Sequence, residues 1–109
     1  AYSMMNELEA ASKAYKIALT KDPKHAATYY NLAVIQTEQK DYDSARDNYL
    51  KAIEYAPNML EAHANLALIY LYKNDQEKYQ EELVIVEKLD PATATRVKNF
   101  SKPANTKVD

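Results

Sequence analysis

"AATYYNLAVIQTEQKDYDSARDNYLKAIEYAPNM", residues 26–59, carries two helical patterns separated by a polar break and closed by a proline. Leu32 and Ala33 stand four and three residues before Gln36, so the three share one face of a first helix. Ala45-x-x-x-Tyr49-x-x-Ala52 sets one large residue between two small ones on one face of a second. That seam lets two helix axes approach closely while the tyrosine fills the space toward a neighbouring element. The segment therefore predicts a helix hairpin.

The same pattern recurs on both sides. Pro23, Pro57 and Pro91 are 34 residues apart (57 − 23 and 91 − 57), a period in the solenoid range. In that register Ala11, Tyr15 and Ala18 precede Ala45, Tyr49 and Ala52, and Tyr79, Leu83 and Val86 follow them; Leu32-Ala33 is matched by Leu66-Ala67, with Tyr70 at the place of Gln36. Asn6-Glu7, Lys40-Asp41 and Asn74-Asp75 fall at the predicted turns, which call for a left-handed residue that asparagine adopts readily and lysine with strain. Asp22, Ala56 and Asp90 precede the prolines and are expected to be extended.

This arrangement resembles the tetratricopeptide repeat family, whose 34-residue unit reads W-x2-L-G-x2-Y, then A-x3-F, then P. Tyr29 and His63 stand where that pattern has tryptophan, Ala33 and Ala67 where it has glycine, Gln36 where it has tyrosine, and Tyr79 where alanine is usual. The resemblance covers residues 2–93 and implies an all-α fold of antiparallel helix-turn-helix repeats stacked as a right-handed α-solenoid. Residues 1–25 read as a partial repeat, 26–59 and 60–93 as full repeats, and 94–100 as a capping helix, together one domain, with 101–109 a loose polar tail. The partial first repeat is read as a cut from a longer array in preference to an incomplete end.

Composition agrees with helices and narrows the function. Of the 109 residues, 47% are hydrophobic and 28% charged, with no glycine, which disfavours hairpin turns and phosphate-cradling loops. A net charge of −2 from interspersed charges gives no basic field for nucleic acid or an anionic membrane, and no apolar run is long enough for membrane insertion. Cysteine is absent, so neither a disulfide nor a thiolate site is expected, and the compartment stays open.

In the family, ligands contact mainly the first helix of each unit. By spacing, the face opposite the Leu32/Ala33 seam carries Tyr30, Asn31, Val34, Thr37 and Glu38, and its counterpart carries Glu61, Ala64, Asn65, Leu68, Leu71 and Tyr72. Apolar side chains where a solvated helix has polar ones mark a binding groove, or else core covered by the capping helix or neighbouring units. Asn31 and Asn65 are one period apart and suit the backbone of an extended peptide, or plain contacts with solvent and local backbone. One subclass of the family clamps a chaperone's C-terminal carboxylate with lysine, arginine and asparagine. Asn31 matches the asparagine, but Glu61 and Asn65 stand where the cations belong, so that clamp is missing. With Glu38 and Glu61 beside apolar residues, the expected partner is a protein or peptide, neutral to basic and hydrophobic.

No catalytic, cofactor or metal site is expected. His25 and His63 have no further ligand at helical spacing; His63 reads as a seam residue and His25 as a helix start. Asp41 and Asp43 read as helix-start residues and Glu81-Glu82 as a solvated face. The leading expectation is a scaffold or adaptor that binds protein, and the rival is end-to-end self-assembly into homo-oligomers.

Overall fold

The computed structural model describes the backbone of residues 2–101 and the side chains of residues 7–99. The described residues form six helices and no strand: α1 (Tyr2–Lys21), α2 (Ala26–Glu38), α3 (Tyr42–Tyr55), α4 (Leu60–Tyr72), α5 (Gln76–Leu89) and α6 (Pro91–Ser101). They divide after Ala62 into two compact units, each described in turn.

In the first unit α2 packs against both α1 and α3. His25 starts α2 as expected: its ring Nδ1 accepts from the backbone N–H of Thr28 at 3.3 Å and lies 2.7 Å from the Thr28 hydroxyl. The other end of α2 closes by a Schellman pair, with Lys40 N–H donating to the Thr37 carbonyl at 3.0 Å and Asp41 N–H to the Gln36 carbonyl at 2.8 Å. Lys40 has φ 64°, the left-handed value the spacing predicts, and Asp41 then caps α3 by accepting from Ser44 N–H at 3.3 Å. Ala56, held at φ −142° before Pro57, ends α3. Ala45, Tyr49 and Ala52 are buried along one face of α3, as the small-large-small pattern requires.

The turn expected at Asn6-Glu7 does not form. Helix α1 runs unbroken from Tyr2 to Lys21. The two turns that do form place aspartate after the left-handed residue, and a short aspartate side chain reaches the N–H three residues on. Glu7 is one methylene longer, a poor cap and a good helix former, and "MMNELEAA" has neither proline nor glycine to stop the helix.

In the second unit α4 ends as α2 does: Asn74 has φ 62°, Asn74 N–H donates to the Leu71 carbonyl at 3.1 Å and Asp75 N–H to the Tyr70 carbonyl at 2.8 Å. Asp75 caps α5 through Lys78 N–H at 3.2 Å. Tyr79, Leu83 and Val86 of α5 and Ala94 and Val97 of α6 are buried, and α5 packs on α6. Helix α6 begins at Pro91, earlier than the expected 94–100 segment, because proline is tolerated in a first helical turn and Asp90 caps it. One Asp90 carboxylate oxygen accepts from Ala92 N–H at 3.3 Å and the other from the Thr93 hydroxyl at 2.8 Å. Residues 102–109 of the expected tail lie outside the described residues.

The strain at Lys40 gives a direct test. A left-handed conformation costs a residue with a Cβ about 1–2 kcal/mol, partly offset when glycine loses its greater unfolded freedom. Lys40→Gly is expected to raise stability by about 0.5–1 kcal/mol, and Asn74→Gly by less, in urea unfolding followed by circular dichroism. No gain at Lys40 would mean that its side chain is held by contacts that outweigh the strain.

Candidate functional site

The face of α2 singled out by spacing is only partly open. Tyr30, Asn31, Val34 and Thr37 are half-buried, and Glu38 is exposed. Tyr30 leans on buried Tyr49 of α3, ring centroids 5.8 Å apart and tilted by 58°, which fixes its ring while leaving part of it accessible. The Thr37 hydroxyl donates back to the Ala33 carbonyl at 2.9 Å, so its donor is committed within the helix. Asn31 and Val34 are left to present amide and apolar surface from the same helix.

On α4, Glu61 and Tyr72 are exposed and Asn65, Leu68 and Leu71 are half-buried. Tyr72, at 59% relative exposure, is the one large hydrophobic side chain of this helix that is exposed. Ala64 departs from the expected open face: it is buried, at 8% exposure.

The seam residues resolve in ways that spacing does not reveal. At the tryptophan place of the first full repeat, Tyr29 stacks against Tyr55 at 5.8 Å and donates its hydroxyl to the Pro23 carbonyl at 2.8 Å. At the same place one period later, His63 is buried and its Nδ1 lies 2.7 Å from Glu82 Oε1 of α5. Glu82 therefore belongs to a buried contact and not to a solvated face. Gln36 is likewise buried, its Oε1 accepting from the Asn48 side-chain amide at 2.7 Å. Among the described residues no group of three His, Cys, Asp or Glu side chains is placed to hold a metal, and no helix is long and apolar enough to cross a membrane.

Capped helix hairpins, repeated every 34 residues with small residues at the crossings, define an α-helical repeat protein. The family model described as "Tetratricopeptide repeat" matches residues 26–59, so the chain contains a tetratricopeptide repeat there. It is 32% identical over 74 residues to "Photosystem I assembly protein Ycf3" of Cyanophora paradoxa, covering 67% of this chain and 43% of that protein. To the protein of the same name from Synechococcus elongatus it is 36% identical over 67 residues, covering 59% and 39% respectively. The chain thus spans about two fifths of the length of these curated relatives. Among solved structures the crystal structure of MamA aligns with a TM-score of 0.76 at 23% identity, over 84% of this chain and 54% of that one, a likeness of fold.

Proposed function

We propose that this chain is a non-catalytic protein-interaction module, a scaffold or adaptor whose working surface lies on the first helices of its repeats. Tyr30, Asn31, Val34, Thr37 and Glu38 form its α2 part, and Glu61, Asn65, Leu68, Leu71 and Tyr72 its α4 part, with Ala64 contributing backbone more than side chain. In this reading residues 60–93 are the second full repeat. The observation that carries it is the open ring of Tyr72 with Leu68 and Leu71 beside it on an otherwise apolar helix, since exposed aromatic and aliphatic side chains on a rigid element are what protein partners bury. Exposed Glu38 and Glu61 favour a neutral-to-basic, hydrophobic segment. The tetratricopeptide repeat at residues 26–59, and relatives whose name gives assembly as their role, support an interaction role.

The test is quantitative capture from source lysate with three forms of the chain: native, Leu68→Glu/Tyr72→Glu, and Leu50→Glu as a control on exposed α3 surface. Partners retained by the native and control chains and depleted about tenfold or more from the double variant, at equal fold content, are the expected outcome; one or two lost anchors of 1–2 kcal/mol account for that factor. Identical catches from all three chains would remove the α4 face from the reading.

A further inference from the structure

Within the first unit, Glu9, Ser12, Lys13 and Lys16 of α1 and Gln39 at the C-cap of α2 line an open cleft of about 290 Å³. None of them belongs to the surface proposed above, and α1 is outside the first helices of the two full repeats. Lys13 and Lys16 are exposed on successive turns of α1, and among the described residues neither has an ion-pair partner, although Glu9 stands four residues before Lys13. The repeat does not require these charges. One period later the same register positions hold Asp47 and Leu50, and two periods later Glu81 and Val84. Carbonyls at the end of α2 are already occupied by Gln39, Lys40 and Asp41 N–H groups, so the wall at Gln39 does not present bare acceptors to an anion.

We propose that this cleft binds a carboxylate-bearing stretch of a partner protein, with Lys13 and Lys16 as its charge partners and the Ser12 hydroxyl and Gln39 amide as neutral donors. The spacing specifies the ligand. Side chains three apart on a helix are roughly 5–6 Å from each other at Cβ. Alternate side chains of an extended peptide are about 6.5 Å apart on one face. An acidic segment with carboxylates at every second residue therefore sets one against each lysine. Glu9 on the same lining penalises a compact dianion, which would bring all its charge near that carboxylate, more than a peptide whose charges are spread.

The experiment titrates the full chain with the peptide Glu-Ser-Glu-Ser-Glu, with its lysine counterpart and with inorganic phosphate, reading backbone and side-chain amide shifts by NMR at low and physiological salt. The expected result is saturable shifts clustered at Ser12, Lys13, Lys16 and Gln39 with the acidic peptide, weakening as salt is added. Lys13→Ser/Lys16→Ser should weaken binding about tenfold, Lys13→Arg/Lys16→Arg should retain it, and Leu68→Glu/Tyr72→Glu should leave it unchanged. The last variant separates this site from the surface proposed above. Shifts spread over lysines throughout the chain, an equal response to the lysine peptide, or tighter saturation by phosphate than by the acidic peptide would each overturn the proposal.

Discussion

Tyr49→Ala is expected to destabilise the first unit by about 3–5 kcal/mol, the range for removing a buried aromatic side chain. Tyr49 is 1% exposed, and the residues flanking it on the same face, Ala45 and Ala52, are wholly buried. Alanines have no rotamers with which to fill the void, so the surroundings collapse little and the cavity cost stays near its upper range. Tyr30 also loses the ring it leans on. Domains of this size are held by only about 5–15 kcal/mol, so one substitution removes a large part of the margin. Leu50→Ala is the matched control: Leu50, the next residue along α3, is 42% exposed, and its truncation should cost under about 1 kcal/mol. Urea unfolding, with amide exchange read in α2 and α3, measures both. Equal losses at Tyr49 and Leu50 would mean that the helical register derived from the small-large-small pattern is wrong.

That register was legible because it rests on local rules. Which face of a helix is apolar follows from spacing along the chain, and Leu32, Ala33, Ala45, Tyr49, Ala52, Leu66 and Ala67 are all buried as the period requires. Turn chemistry is equally local: a left-handed residue followed by a capping aspartate was readable at Lys40-Asp41 and Asn74-Asp75. At Asn6-Glu7 the period calls for the same turn, but glutamate caps poorly and the helix runs through.

Side-chain partners between helices were not legible. Gln36 finds Asn48 twelve residues on, and His63 finds Glu82 nineteen residues on, and both meetings depend on crossing geometry and rotamer rather than on any periodic rule. The α1–α2 cleft is not visible along the sequence for the same reason, since Gln39 joins Lys13 and Lys16 only when the two helices pack. On the proposed binding surface, spacing selected a face but not its openness. Four of the α2 side chains are half-buried, and Ala64 is covered.

His63 carries the second large expectation. Its side chain is 5% exposed and that of Glu82 14%, with 2.7 Å between Nδ1 and Oε1. Removing the ring by His63→Ala leaves both a cavity and a half-buried carboxylate without this partner, at an expected cost of about 2–4 kcal/mol. Glu82→Ala removes the carboxylate from His63 Nδ1 and should cost about 1–3 kcal/mol. Removing both polar groups together is different. His63→Phe/Glu82→Leu takes away both members of this contact at once, so it should cost less than the two single changes added together. The same position one period earlier already holds an aromatic ring, Tyr29, packed on Tyr55, which indicates that this place in the repeat accepts phenylalanine's shape. A double-mutant cycle by urea unfolding should return a coupling of about 0.5–3 kcal/mol between positions 63 and 82. Strict additivity would mean that the contact contributes nothing beyond the packing of each side chain separately, and that His63 serves the repeat as a ring alone.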